Sequence, residues 1–180
     1  MTDPCNVQIN RASLERITTL SLKDGGTCEV SRIAAPVSSA KRERLGALIA
    51  DMDPWKRYGF KPAALARFFE PFDRSMPRFV VTIGDEVVGM FALKIGWMFG
   101  MYLNVLAVFP KHQGRGIGSA VLSWLEERGR ANGDRNQFVV TSAFNCGGLR
   151  LYKRHGFEPV AELPGLINET ETEILLRKRL

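Results

Sequence analysis

Hydrophobic and polar positions follow one another regularly enough to lay out most of the chain. Residues 27–33 alternate, and Pro36 ends the run, which predicts a strand. Ser38 and Ser39 are residues that cap helices. Leu45, Leu48 and Ile49 then fall on one side of a helix predicted over 40–50. Asp51-Met52-Asp53-Pro54-Trp55 breaks it. Pro62 opens a second helix carrying Leu65, Phe68 and Phe69, and Pro71 stops it. Strands over 78–83 and 86–95 flank the hairpin turn Gly84-Asp85, and a further strand covers 101–109. Ile117, Ala120, Val121, Trp124 and Leu125 then recur at i, i+3, i+4, i+7 and i+8, a long amphipathic helix ending at Asn132-Gly133. A strand over 137–141, a short helix over 145–155 closed by Gly156, and strands over 157–163 and 172–178 complete the pattern. Residues 1–26 carry little periodicity and end in Asp24-Gly25-Gly26; they read as a loose arm or an added strand. Residues 27–180 read as one α/β (α+β) domain with a mixed sheet.

Bulk properties narrow the classes. A chain of 180 residues with 45% hydrophobic and 24% charged residues is ordinary globular material with room for a core. A net charge of +6 and a pI near 9.5 suit an anionic ligand. Nucleic acid is disfavoured, because basic residues are interspersed with acids, as in Lys41-Arg42-Glu43-Arg44. The one tight basic run, Arg177-Lys178-Arg179, reads as the solvated end of a strand. Cys5, Cys28 and Cys146 are odd in number and lack a C-x-x-C pair, so they read as free thiols. His112 and His155 have no cysteine or carboxylate cluster beside them, and no metal is expected. The apolar run over 87–109 is long enough to cross a bilayer. Lys94, Gly96, Gly100 and Asn104 interrupt it, and two strands joined by a turn account for it better. With no basic-then-apolar start, the expectation is a cytoplasmic protein without a membrane span.

The most informative stretch lies between the 101–109 strand and the long helix. It reads Val108-Phe109-Pro110-Lys111-His112-Gln113-Gly114-Arg115-Gly116-Ile117-Gly118-Ser119. Glycines there let the backbone bend and let a ligand approach. A helix N-terminus offers unpaired N–H groups and a positive dipole end. The physical reading is a cradle for phosphate or diphosphate. A Walker-type loop is excluded because no lysine lies between Gly118 and Ser119. The Rossmann spacing fails as well, since its third glycine would fall at Ser119 or Val121.

The spacing Gln113-x-x-Gly116-x-Gly118 after Leu106-Ala107-Val108 resembles the acetyl-CoA-binding motif of the GNAT superfamily of N-acetyltransferases. A second segment, Asn145 with Leu149-Tyr152-Lys153-Arg154-His155-Gly156-Phe157, is similar to that family's other CoA-contacting stretch. From about residue 27 to 180 the order of elements also looks like the family's. The resemblance implies a twisted, mostly antiparallel sheet of six to seven strands flanked by about four helices. It implies that main-chain groups of Leu106, Ala107 and Val108 pair with the pantetheine arm at a splayed strand. The amides of Gln113, Gly114, Arg115, Gly116, Ile117, Gly118 and Ser119 would hold the diphosphate. Asn145 would contact the CoA arm, and Tyr152 would protonate the departing thiolate. Read alone, Tyr152 could simply pack, Asn145 could simply cap its helix, and Arg115 could be a solvated loop charge.

One departure stands out. Many relatives carry a glutamate on the strand before the cradle, whereas this strand reads Met101-Tyr102-Leu103-Asn104-Val105. Asn104 can orient a water or an amine but takes up no proton. Asp51, Asp53, Glu70 or a water chain are the alternatives for a base, and the residues do not choose among them. Trp55, Tyr58, Phe60 and Phe69 suit an apolar wall over an acceptor, and equally a core. The expected activity is acetyl transfer from acetyl-CoA to a primary amine of a small molecule or peptide, in a ternary complex. The alternative is a non-catalytic acyl-CoA-binding regulatory module. Homodimers are common in such folds, and the sequence leaves that open.

Overall fold

The fold, taken from a computed structural model, describes residues 6–70 and 75–180. The Pro71 helix stop and Cys5 lie outside the described residues. Among these residues are four α-helices and eight strands, one or two more strands than the pattern predicts. The addition is β1 (Leu14–Ser21), which pairs antiparallel with β2 (Thr27–Ile33) across the Asp24-Gly25-Gly26 turn. Its missing periodicity has a cause: β1 is mostly exposed, and its register slips between Arg16 and Thr18. Strand pairing then runs β1-β2-β3-β4-β5-β6-β8-β7, with β3 (Arg78–Ile83), β4 (Glu86–Ile95), β5 (Gly100–Val108), β6 (Asn136–Ser142), β7 (Glu158–Pro164) and β8 (Thr172–Arg179). Only β5 and β6 are recorded as a parallel pair, joined by the long helix the sequence predicts. The apolar run over 87–109 is thus β4, a turn and β5. No helix among the described residues is long and apolar enough to cross a membrane.

Contacts divide the chain into two compact units. The first comprises residues 1–92 and 105–117, the second 93–104 and 118–180. In the first, α1 (Ser39–Ala50) and α2 (Pro62–Ala66, prolonged by a 3-10 turn through Phe69) bury Leu45, Ile49, Leu65 and Phe69. They pack with Val80, Met90, Val105 and Ala107 of the strands in one core cluster. Ser38 occupies the N-cap of α1 without making a side-chain cap bond. Phe69, one of the candidate acceptor-wall residues, belongs to this core.

The second unit holds α3 (Ile117–Ala131) from Gly118 onward, β6, α4 (Cys146–Arg154), β7 and β8. Two of the three C-terminal basic residues are tied down rather than solvated. Arg177 Nε donates to Asn136 Oδ1 at 2.7 Å, and Lys178 Nζ donates to Glu126 Oε2 on α3 at 2.6 Å. The expectation of a solvated basic run is therefore corrected. β7 is exposed along nearly its whole length and ends the order of strands; its register slips between Pro159 and Ala161.

Gly46 shows what brings α1 and α2 together. A Cβ there would stand 2.4 Å from the Pro62 carbonyl oxygen and 2.7 Å from the Ala66 nitrogen. Alanine is the better helix former by about 1 kcal/mol. Gly46→Ala is nonetheless expected to lower the melting temperature, because overpacking costs about 1–3 kcal/mol and here meets rigid main chain. A calorimetric melting scan of the two proteins checks this.

Candidate active site

The turn after β5 is built from its glycines. Gly114 and Gly116 have φ of +78° and +89°, the left-handed region that side chains avoid. Arg115 between them keeps a negative φ, so the sign of φ alternates along the turn, as in anion-binding backbone nests. Upstream, Pro110–His112 form a single 3-10 turn. The Gln113 N–H is spent there on the Pro110 carbonyl at 3.2 Å. Gln113 contributes differently: its side-chain Nε2 donates to the Val108 carbonyl at 2.9 Å and braces the turn against the strand end. Main-chain bonds are not recorded, among the described residues, for the amides of Gly114, Arg115 and Gly116. Next comes α3, whose first amides have no helical partner.

Two side-chain contacts hold this turn. His112, buried, meets Glu86 Oε1 of β4 through Nε2 at 3.1 Å. Arg115 Nε donates to Asp24 Oδ2 at 2.8 Å, and Asp24 Oδ1 accepts from Gly26 N at 3.0 Å. The Arg115 hydrogen bond, then that of Gly26, holds the Asp24 carboxyl below the usual carboxylate range. Arg115 is therefore an anchored charge. Leu106 and Val108 are half-buried, while Ala107 is fully buried beneath β4, its carbonyl oxygen 2.6 Å from where a Cβ on Gly89 would be. Asp51 and Glu70 are engaged by Lys56 and Arg42, which leaves them structural work.

In the second unit, Gly118 is buried and Ser119 half-buried in the first turn of α3. Asn145 caps α4: its Oδ1 accepts from Gly148 N at 3.0 Å, and its Nδ2 donates to Thr141 Oγ1 at 3.0 Å. Tyr152 is 7% exposed and meets Phe157 edge-on at 5.7 Å. Burial, with Tyr102 adding to it, pushes its phenol well above the usual value, so the hydroxyl keeps its proton. Asn104 follows the end of the recorded β5–β6 ladder at Leu103↔Val139, while the β6–β8 ladder continues to Ser142↔Glu173. His155 ends α4 as its C-cap. A groove of about 410 Å³ lined by Phe99, Phe138, Val160 and Arg177 holds none of the expected site residues.

One group escaped the sequence reading. Glu173 of β8 is 2% exposed and accepts from Ser142 Oγ at 3.3 Å. The registers Tyr102↔Phe138, Phe138↔Arg177 and Ser142↔Glu173, with side chains alternating along each strand, put Tyr102 and Glu173 on one sheet face. A glutamate 71 positions beyond Tyr102 gives no local signal; only strand pairing relates them. Among the described residues no group of three or more metal-ligating side chains occurs. Cys28 and Cys146 are free thiols, as expected.

The two phenols set a pH response. Tyr102 is raised by burial and then by the Glu173 charge, and Tyr152 is raised as well. In the unfolded chain both ionise near pH 10. Above that pH the unfolded state sheds protons first, so the stability present at neutral pH falls as pH rises. Denaturant titrations across alkaline pH should show this decline, shallower in Tyr102→Phe. Glu173→Gln should move the Tyr102 titration down, read by ultraviolet absorbance of the phenolate.

Residues 45–157 match the model of the acetyltransferase (GNAT) family. Among curated proteins none matches the chain. Among solved structures, the GNAT domain of S. lividans PAT aligns with a TM-score of 0.66 at 19% identity, covering 91% of this chain and 96% of that one. A GNAT family acetyltransferase from Elizabethkingia anophelis with acetyl-CoA bound gives 0.63 at 19% identity, covering 85% and 98%. The ribosomal-protein-S18-alanine N-acetyltransferase from Escherichia coli gives 0.64 at 15% identity, covering 84% and 93%. With well over half its length inside the family model, this chain belongs to the GNAT family of acetyltransferases, which take their acetyl group from acetyl-CoA.

Proposed function

We propose that this protein transfers the acetyl group of acetyl-CoA directly to a primary amine, with both substrates bound together. The observation that carries the reading is the turn of alternating φ at Gly114-Arg115-Gly116, set at the start of α3 within the family-matched residues. Amides without main-chain partners beside a helix N-terminus are suited to a diphosphate, which supports the reading. Main-chain groups of Leu106, Ala107 and Val108 are assigned to the pantetheine arm, and the end of the β5–β6 ladder at Leu103 supports that assignment. Asn145 is assigned to the CoA arm in addition to its capping bonds.

In the reaction the amine, once deprotonated, attacks the thioester carbonyl carbon. The C–N bond forms, the tetrahedral oxyanion collapses, and the C–S bond breaks. The thiolate takes its proton from Tyr152, whose buried phenol is still protonated at neutral pH. Asn104 is assigned to orient the amine. The ammonium sheds one proton to solvent before attack; the second, lost from nitrogen as the amide forms, passes through solvent and restores the Tyr152 phenol. Positioning of the two reactants supplies much of the rate.

Thiol release over a chemically diverse panel of amines tests the function: turnover with at least one amine is expected. A protein that binds acetyl-CoA and releases no thiol above background is a binding module instead. In Tyr152→Phe, turnover should fall about 100-fold, in the range typical of a lost general acid, with acetyl-CoA affinity kept within about threefold. Unchanged turnover would remove Tyr152 from the chemistry. Gly118→Glu places a carboxylate in the first turn of α3, which suits the helix dipole but repels phosphate. Because Gly118 is buried, the variant should melt below the parent temperature, and while still folded at lower temperature it should lose acetyl-CoA binding by calorimetry.

A further inference from the structure

The β1–β2 turn, which gave no functional signal in the sequence, lies against the phosphate cradle. The turn closes on itself, with Leu22 N donating to Gly26 O at 2.8 Å and Gly25 N to Leu22 O at 3.1 Å. Its contact with the cradle is direct main chain. A Cβ built on Gly116 would stand 3.0 Å from Lys23 Cβ and 3.3 Å from Lys23 N. The next residue, Asp24, binds Gly26 N with one carboxylate oxygen and Arg115 Nε with the other. A Cβ on Gly26 would lie 3.8 Å from an Arg115 Nη atom. Lys23, Asp24 and Gly26 of the turn therefore lie against the glycine loop 114–116, about ninety residues further along the sequence.

We infer that Lys23 is a phosphate ligand of the acetyl-CoA site, supplied by the β1–β2 turn and held in place by the Asp24–Arg115 ion pair. This rests on the proposed function, in that the cradle is taken to receive the phosphates of CoA. Lys23 is exposed, its side chain leaves the backbone beside Gly116, and it enters no ion pair among the described residues. Its flexible four-carbon stem carries a point charge suited to phosphate. Asp24 neutralises part of Arg115, so Lys23 restores net positive charge where phosphate oxygens gather. Asp24 also fixes Arg115 through Nε while both Nη groups stay available as donors. A position whose only task was to close the hairpin would need neither the contact with Gly116 nor a cation there.

Calorimetric titration of the full chain tests this without any acceptor amine. Acetyl-CoA and 3′-dephospho-CoA are titrated into the parent protein, Lys23→Ala, Lys23→Glu and Arg11→Ala. Arg11 lies at the other end of β1, paired with Asp85, and controls for loss of one positive charge. Lys23→Ala should bind acetyl-CoA about 10-fold more weakly, the scale of one charge-assisted hydrogen bond. Lys23→Glu should bind more weakly still, and added salt should narrow the gap. Arg11→Ala should match the parent. If the Lys23→Ala defect persists with 3′-dephospho-CoA, the contact is to the diphosphate. If it disappears there, the contact is to the 3′-phosphate. Either result supports the inference. Parent-like acetyl-CoA affinity in both Lys23 variants would overturn it while leaving the proposed function intact. An equal loss in Arg11→Ala would also overturn it, as a bulk charge effect. A parent protein that does not bind acetyl-CoA would overturn both.

Discussion

Unpaired main-chain N–H groups are expensive to bury and are seldom left idle. The turn after β5 collects several of them in one place, and much of the rest of this protein is arranged to keep them there. Two left-handed glycines set their direction, since a side chain at Gly114 or Gly116 would strain the backbone. Gln113 ties the loop back to the end of β5, His112 ties it to β4, and Arg115 ties it to the β1–β2 turn. These bonds use side chains, and so the amides of Gly114 to Gly116 remain available. Such preorganisation lowers what binding must otherwise spend on ordering a loop.

Hydrophobic burial supplies the rigidity behind this. Ala107 and Phe109, directly before the turn, are sealed into the same cluster as Leu45, Ile49 and Phe69. The strand end is thus fixed to the helices of its own unit before any ligand arrives. In the other unit, Trp97 lies tilted at 5.2 Å from Tyr102 and meets Phe138 edge-on at 4.9 Å, joining the β4–β5 tip to β6. Buried Ser142 pairs there with Glu173 and half-buried Lys178 with Glu126, whereas Gln137 Oε1 is buried without a hydrogen-bond partner among the described residues.

Elements that bury a regular stripe were legible in the sequence. The α3 pattern from Ile117 to Leu125, the β3–β4 hairpin and the strand–glycine–helix transition all fell where periodicity put them. What could not be read was whatever depends on residues distant along the chain. β1 buries only Leu20 fully and slips register midway, so no regular stripe betrays it, and its neighbour in the fold, the 114–116 loop, follows some ninety residues later. Arg177 and Lys178 look solvated by composition, yet β8 brings them to Asn136 and Glu126. Gly46 looks like a weak point in a helix until Pro62 is seen pressed against it. For the candidate site, the motif pointed to the 113–119 turn and to Tyr152, whereas the cap bonds of Asn145, the engagement of the Gln113 amide and the position of Glu173 came only with three dimensions.

The exposed outer strand has a consequence for how copies of this chain meet. β7 begins Glu158-Pro159 and ends Glu162-Leu163-Pro164, with a slipped register in between. Two prolines lack the donors that a docking strand needs, the irregularity bends the ribbon, and the carboxylates repel a twin. Lateral growth of the sheet through that border is thereby discouraged, so two copies are kept from joining edge to edge along β7.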